Sequence, residues 1–204
     1  MAQTSTTLSG AKSHIPDITG TDISFTASGG TNTISSTSTT LTGSGKLAVR
    51  DLVTVSGTTN NNSTFTVKSI VSETEFTVEE IVTTEASDGS TTATLDHTGF
   101  VTDKAKGDGY FSQPDGVHTV AYQVVNLGDS TDDFNGTIKM QGSLATTPTE
   151  DDWFDISGTS YTSDQSTTNV SFNFTGNFVW VRARVETSNL TSNPSMVTAI
   201  LLNN

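Results

Sequence analysis

Short segments in which apolar and polar residues alternate recur about every ten residues along most of this sequence. Ile23 and Phe25 alternate ahead of a Gly-Gly pair, and Phe76 and Val78 alternate with polar neighbours further on. A spacing of two places the apolar side chains on one face of a β-strand, and the Gly and Asn clusters between such runs are typical of turns. Only residues 79–85 have a helical composition, and their β-branched residues favour a strand or loop. The pattern therefore predicts an all-β, antiparallel protein.

The abundance of hydroxyl side chains agrees with this fold class. Thr and Ser supply 40 and 26 of the 204 residues, about as many as the 32% that are hydrophobic. Thr is β-branched and favours strands over helices. A disordered chain of this polarity would be rich in charge and Pro, but here charged residues make up 15% and Pro only four positions. We interpret the hydroxyls as the solvent side of β-strands and their turns.

The pattern divides the chain into four segments. Residues 1–19 lack periodicity and contain Pro16, which predicts an arm that is extended or becomes ordered on a partner. Residues 20–98 predict a small antiparallel β-module, either a barrel or a sandwich. Residues 99–109 are rich in Gly and charge, which predicts a linker. Residues 110–204 predict a jelly-roll-like β-sandwich.

The strands of the C-terminal segment indicate which side chains form its core. In residues 178–185 one face should be core and the opposite face should carry Phe178, Trp180, Arg182 and Arg184; the expected core residues are Val179, Val181, Ala183 and Val185. Residues 120–125 are apolar on both faces, as in a central strand. For Arg182 and Arg184 two interpretations stay open: they bind the carboxylates of a partner, or they form the solvated face of the strand.

Charge and cysteine content exclude several classes of function. The formal net charge is −13, and 11 of the 22 acidic residues lie in each half of the chain. Neither half therefore has a basic face for nucleic acid or anionic lipid. The chain has no Cys, which excludes disulfides and thiolate chemistry. We expect neither a signal peptide nor a membrane-spanning segment, because the first residues and the rest of the chain lack a long apolar run.

The candidates for catalysis are few. His14, His97 and His118 are the three imidazoles, and no Ser lies in a G-x-S-x-G elbow, so a hydrolase would have to use His118 near a Ser or carboxylate. The run Glu150-Asp151-Asp152 beside Trp153 could serve a glycosidase or bind sugar, but consecutive carboxylates on a solvated loop are more often a polar turn leading into a strand whose Trp is buried. We predict no catalytic residue.

Metal binding and glycosylation have little support. Asp129, Asp132, Asp133 and Asn135 offer closely spaced oxygens, but their spacing does not match a calcium loop, and a hairpin turn explains them equally well. Six N-x-[ST] matches are close to the number expected from the hydroxyl content alone. We therefore predict no metal and no cofactor.

Several stretches resemble proteins of tailed bacteriophages. The N-terminal stretches are similar to a small β-module of phage virion proteins; they are Asp22-Ile-Ser-Phe, Thr33-Ile34, Asp51-Leu-Val-Thr-Val-Ser-Gly, Asn61-Asn-Ser-Thr-Phe-Thr-Val-Lys-Ser-Ile and Phe76-Thr-Val-Glu-Glu. The C-terminal stretches resemble β-sandwich structural proteins of phages that infect marine bacteria; they are Gly107-Asp-Gly-Tyr-Phe, Gly116-Val-His-Thr-Val, Gly136-Thr-Ile-Lys-Met-Gln-Gly-Ser-Leu, Asp152-Trp-Phe-Asp-Ile and Gly176-Asn-Phe-Val-Trp-Val-Arg-Ala.

The resemblance implies a non-enzymatic virion structural protein, made in the host cytoplasm and then assembled onto the particle. It would be an accessory component of the tail, neck or fibre apparatus or a capsid decoration protein, and its partners would be other virion proteins, including the major capsid protein. We also expect a homo-oligomer in which the arm and first module dock on the particle. The alternative is a carbohydrate-binding or host-adhesion module that uses Trp153, Trp180 or Tyr110 as platforms for a host surface glycan.

Overall fold

The computed structural model describes residues 5–125, 133–163, 168–187 and 195–203. The predicted all-β, antiparallel class is confirmed, since 54% of the chain is strand and 4% is helical. Two short 3-10 turns lie at Asp108–Phe111 and Glu150–Asp152. The strands are β1 Ser5–Ser9, β2 Lys12–Ser13, β3 Ile18–Gly20, β4 Ile23–Ser28, β5 Thr31–Ser36, β6 Asp51–Ser56, β7 Thr64–Ser72, β8 Glu75–Val78, β9 Ala93–Val101, β10 Ala105–Lys106, β11 Val117–Val124, β12 Gly136–Ser143, β13 Phe154–Asp155, β14 Tyr161–Thr162, β15 Asn169–Thr175, β16 Trp180–Thr187 and β17 Ser195–Asn203.

The chain forms two compact units. The barrel unit is Ile15–Phe100, and the jelly-roll unit combines Met1–His14 with Val101–Asn204. In sequence, the barrel unit is therefore inserted between β2 and β10 of the other unit.

In the barrel unit, seven strands pair in the antiparallel order β3, β9, β6, β7, β8, β5, β4. The strands at the two ends of this path, β3 and β4, are separated by only two residues, so the sheet must curl to bring its ends together. The outer edge of β4 is partly covered, because Phe25 and Glu85 exchange backbone hydrogen bonds of 2.8 and 2.9 Å. The predicted small antiparallel module is thus confirmed as a curled sheet.

The core of the barrel unit contains the apolar residues that the alternation predicted. Phe25, Ile34, Val53, Phe65 and Phe76 are all at most 2% exposed. Ile70 lies three residues after Val67 and so falls outside the alternation of β7; it is 40% exposed. The register of β7 against β8 shifts on both sides of Ile70.

The jelly-roll unit contains two antiparallel sheets. In the first, β17 pairs with both β1 and β2, and the order continues through β11 to the edge strand β15. In the second, β16 lies between β10 and β12, and both β13 and β14 pair with β12. If β1 with β2 and β13 with β14 each count as one interrupted strand, the described strands of this unit can be numbered 1 to 8 in chain order. They then pair in the order 1-8-3-6 in the first sheet and 2-7-4-5 in the second. This is the strand order of a jelly roll.

The inner faces of the two sheets form the core predicted for the C-terminal segment. Val181, Ala183 and Val185 on β16 are fully buried, as are Val120 and Tyr122 on β11. Val179, also expected in the core, precedes β16 and is half-buried. A hydrogen bond joins the sheets, because the Tyr122 hydroxyl donates to the Thr159 carbonyl at 2.8 Å. The strand β11 lies between β17 and β15, as its two apolar faces predicted.

The structure differs from the sequence-based expectation at the arm and the linker. Residues 5–13 form strands along β17 of the same chain, where we expected an arm that is extended or becomes ordered on a partner; Ser5 lies opposite Asn203 and Ser13 opposite Ser195. Residues 99–101 end β9, and residues 105–106 form β10 along β16. Strand β1 contains one large apolar residue, Leu8, and its backbone pairing with β17 leaves no periodic pattern in the sequence.

Within the part of the chain that the structure describes, no helix has the length and apolar composition needed to cross a membrane.

Candidate binding surface

The outer face of β16 positions the most conspicuous polar and aromatic side chains of the jelly-roll unit. Because successive residues of a strand point to opposite faces, Trp180, Arg182 and Arg184 project away from the core. Arg184 donates through Nε to Glu186 at 2.7 Å, and Lys139 on the neighbouring β12 lies 2.8 Å from Asp155.

The guanidinium of Arg182 is at the centre of a buried cluster made by the chain itself. Its Nε donates to the side-chain carbonyl of Gln141 at 2.9 Å, and its two terminal nitrogens donate to Glu150 at 2.8 and 2.7 Å. The Trp153 ring stacks on it with 4.2 Å between the guanidinium carbon and the ring centroid. Arg182 is only 2% exposed. Both interpretations of Arg182 are therefore wrong, since it is not solvated and its carboxylate partner belongs to its own chain.

Two of the three acidic residues before Trp153 have partners within the chain. Glu150 binds Arg182, and the Asp152 carboxylate accepts hydrogen bonds from the Thr149 N–H at 2.7 Å and hydroxyl at 2.8 Å. These two hydrogen bonds hold the pKa of Asp152 below its usual range. Asp151 is exposed. The run thus forms the polar turn that was one of its two interpretations.

A second group of side chains, which we call the aromatic–lysine patch, consists of Lys104, Lys106, Tyr110, Phe111 and Trp180. The Lys106 ammonium lies 4.1 Å from the Tyr110 ring centroid and 5.6 Å from that of Phe111, and the Lys104 ammonium lies 4.5 Å from that of Trp180. Tyr110 and Phe111 are 42% and 55% exposed. The aromatic–lysine patch, with its accessible rings and two ammonium groups, suits a ligand that offers both an apolar face and an anionic group.

The rings of this patch are not parallel. Tyr110 meets Phe111 at 74° and Trp180 at 61°. Trp180 also donates its indole N–H to the Thr146 carbonyl at 3.0 Å, and both tryptophans are half-buried with a cation over one face. A sugar-binding module would present exposed, coplanar aromatic rings, and these rings are not coplanar; Tyr110 and Phe111 are the accessible aromatics of this patch.

The histidines lie in structural positions. His118 on β11 is 1% exposed and stacks on Phe174 with 5.0 Å between ring centroids. Its Nε2 lies 3.4 Å from the carboxylate of Asp108, which itself accepts the Gly116 N–H at 2.7 Å. The carboxylate that a hydrolase would require is therefore near His118; the His118 side chain is 1% exposed and that of Asp108 is 17% exposed. In the barrel unit, Nε2 of His97 lies 3.7 Å from the carboxylate of Asp51, and both side chains are 1% exposed.

Sequence reasoning missed a polar pocket of about 260 Å³ in the barrel unit, lined partly by Glu85 and Asp88. The Glu85 carboxylate accepts hydrogen bonds of 2.8–2.9 Å from the backbone N–H groups of Thr59 and Asn60 and from the Asn61 side chain. Burial opposes ionisation of Glu85, but these hydrogen bonds outweigh it and lower the pKa. The Asn60-Asn61-Asn62 run predicts a turn. Glu85, which accepts the hydrogen bonds of this turn, lies about 25 residues away along the chain.

Asp88 is held in the same way. The hydroxyl of Thr91 and the backbone N–H groups of Thr91 and Ser90 donate to its carboxylate, and they hold the pKa of Asp88 well below its usual range. The two carboxylates of the pocket are therefore ionised, and the loops around them already supply hydrogen-bond donors.

Among the residues that the structure describes, no three His, Asp or Glu side chains come together in a possible metal site. Of the proposed calcium-loop residues, Asp129 and Asp132 lie outside the described residues, whereas Asp133 is buried and Asn135 is exposed.

The chain was compared with protein-family models, with curated proteins and with solved structures, and none of the three comparisons finds a match.

Proposed function

We propose that this protein is a non-enzymatic structural component of a tailed-bacteriophage virion, in the tail, neck or fibre apparatus or as a capsid decoration, and that it acts by assembling onto the particle. The observation that carries the proposal is the jelly-roll strand order of the C-terminal unit. This architecture recurs in viral capsid and lectin domains, so the argument is an analogy between folds. The sequence resemblance to phage virion proteins supports the same role independently.

Exposed apolar side chains support docking through the barrel unit. Ile81 is 87% exposed, Val71 is 57% exposed, and Val49 and Ile70 are 43% and 40% exposed. We propose that these four side chains lie in the contact with the other virion protein. In this proposal the barrel unit docks on another virion protein, and the acidic, hydroxyl-rich remainder keeps the particle surface soluble.

The proposal is tested by locating the polypeptide in purified particles. Mass spectrometry should detect the protein in virions purified from the infected host, and a cryo-EM map should place it on the capsid or the tail. Ile81→Asp should lower its incorporation, whereas Val117→Asp, at a 60% exposed position in the other unit, should not. Absence of the wild-type protein from purified virions would overturn the proposal.

The second candidate function is binding of an anionic host glycan at the aromatic–lysine patch. It is favoured by the exposed Tyr110 and Phe111 rings and by the exposed Lys104, because sugar rings pack on aromatic faces and an ammonium group can pair with a carboxylate or sulfate. Titration calorimetry with acidic oligosaccharides should show binding that is lost in Tyr110→Ala and kept in Phe154→Ala, a control at another exposed aromatic. Equal binding by the two variants would exclude this site.

A further inference from the structure

The strand β15 is an unusual edge. It pairs with β11 over seven residues without a bulge, and among the described residues no strand pairs with its other side. Its sequence, Asn-Val-Ser-Phe-Asn-Phe-Thr, has no charge and no Pro, although the chain as a whole has a formal charge of −13. Soluble proteins normally protect such an edge with charges, Pro, bulges or short strands, because it offers a row of free backbone groups to another strand.

The other edges of the jelly-roll unit do carry such protection. The register of β1 shifts between Thr7 and Ser9. The opposite sheet ends on one side at residues 101–106, which include three charged residues, and on the other side at the two-residue strands β13 and β14. The open edge of β15 is therefore a feature of this strand and not of the unit in general.

The outward backbone groups of β15 can be assigned from a neighbouring hydrogen bond. The Val124 N–H donates to the Thr168 carbonyl at 3.0 Å, so residue 168 faces β11. Since the N–H and C=O of alternate residues of an antiparallel strand point to opposite edges, the groups of residues 170, 172 and 174 also face β11. The outward groups are then those of Asn169, Ser171, Asn173 and Thr175.

Two copies of this sequence match each other when they run antiparallel about Phe172. Asn169 then faces Thr175 of the second copy, and Ser171 faces Asn173, so every outward residue has a hydrogen-bonded partner. No like charges are opposed. On the inner face Val170 meets Phe174 of the second copy, and Phe172 meets its own counterpart.

The side chains on the inner face of β15 are only partly buried, which agrees with the position of β15 at the edge of its sheet. Val170 and Phe172 are half-buried, whereas Tyr122 on the adjacent β11 is fully buried and lies 5.6 Å from the Phe172 ring, centroid to centroid. A second sheet beyond the edge would cover the open sides of Val170 and Phe172. Such burial is the main source of free energy in association.

We propose that β15 pairs with β15 of a second copy of this chain, antiparallel about a two-fold axis at Phe172, and joins the two sheets into one. The contact uses the same strand in both copies, so it closes at a dimer. It does not depend on the proposed role in a virion.

Two double variants of the full chain test the pairing, because the exposed side chains of Ser171 and Asn173 oppose each other across the axis. S171K/N173K places Lys opposite Lys twice, and S171K/N173E places Lys opposite Glu twice. Cross-strand like charges destabilise by up to about 1 kcal/mol per pair, so the first variant should raise the dimer dissociation constant about tenfold or more. The second variant should stay close to the wild type.

Sedimentation velocity over a concentration series measures the three dissociation constants, and circular dichroism checks that each variant is folded. We expect a wild-type dimer, a weakened S171K/N173K dimer and a retained S171K/N173E dimer. A wild type that stays monomeric at the highest concentration, a wild-type assembly larger than a dimer, or equal dissociation constants for the two variants would each overturn the proposal. If S171K/N173K is misfolded, S171E/N173E takes its place, because it places Glu opposite Glu twice; a dissociation constant equal to that of S171K/N173E would overturn the proposal.

Discussion

Hydroxyl and backbone donors hold several acidic side chains of this protein in their ionised form. The Asp22 carboxylate accepts hydrogen bonds from the hydroxyls of Ser36, Thr39 and Ser38 at 2.6–2.8 Å. Asp88 and Asp152 have similar shells of donors. In a chain rich in Ser and Thr, carboxylates can thus be stabilised without basic residues, which agrees with the low number of Lys and Arg.

The pH dependence of folding should report this arrangement at Asp22. The hydroxyl of Ser36, followed by those of Thr39 and Ser38, lowers the pKa of Asp22 from its ordinary value of 3.8. A group whose folded-state pKa is depressed stabilises the fold above its unfolded pKa, and this contribution is lost as the pH falls toward the folded pKa. Asp22→Asn should therefore have a lower free energy of unfolding than the wild type at pH 7.

The difference between the two proteins should shrink as the pH falls below 3.8. Urea unfolding at a series of pH values measures it. Asp151→Asn is the control, since Asp151 lies exposed at a turn. A difference between wild type and Asp22→Asn that stays constant down to pH 2 would contradict the assignment.

The pair of Arg182 and Glu150 gives a second prediction at this scale. Glu150→Gln removes the negative charge that faces a guanidinium only 3% exposed. Leaving a buried charged donor without its full partner costs about 1–3 kcal/mol of unfolding free energy. Asp151→Asn, one residue away, should change it by less than about 0.5 kcal/mol. Equal effects in urea unfolding would show that the buried pair does not stabilise the fold.

At the scale of the element, apolar alternation predicted most long strands and failed where backbone pairing alone orders the chain. The faces of β16 and the central position of β11 followed from the spacing of Val, Phe and Tyr. β1 contains a single large apolar residue, Leu8, so no periodic pattern marked it. Its partner β17 lies almost 200 residues away, and a local pattern contains no information on such a pairing. For the same reason Arg182 and Glu150 were singled out separately and their contact was not foreseen.

Removal of residues 1–14 should destabilise the jelly-roll unit, because β17 would lose the strands that pair with its outer edge. We expect a lower melting temperature and faster amide hydrogen exchange in β17 than in the full chain. Removal of residues 1–4, which precede β1, is the matched control and should have little effect. Unchanged hydrogen exchange in β17 after the longer truncation would favour the sequence-based prediction of an arm that is extended or becomes ordered on a partner.

At the scale of the whole molecule, the chain contains two compact units with separate cores. The barrel unit has a continuous sequence and a core of its own that includes Phe25, Ile34 and Phe76. The jelly-roll unit is discontinuous, because its first strands precede the inserted barrel. The sequence pattern predicted a small β-module followed by a β-sandwich as consecutive domains, and it contained no sign that the module is inserted into the sandwich.

The fragment Ile15–Phe100 should fold alone. A domain with its own core and a continuous chain does not require the rest of the protein to bury its apolar side chains. Circular dichroism of the fragment should show a β spectrum and one cooperative thermal transition. Phe76→Ala, which removes a fully buried ring, should lower that transition strongly, whereas Val71→Ala at an exposed position should not. A fragment without a cooperative transition would contradict the division into units.

The insertion of the barrel also sets an order of events during synthesis on the ribosome. The barrel unit is complete once Phe100 has left the ribosome, so it can fold while the rest of the chain is still being translated. β1 is made before the barrel unit and its partner β17 after it, almost 200 residues later. Pairing over so long a sequence separation is slow, so β1 reaches its native position long after it has been made.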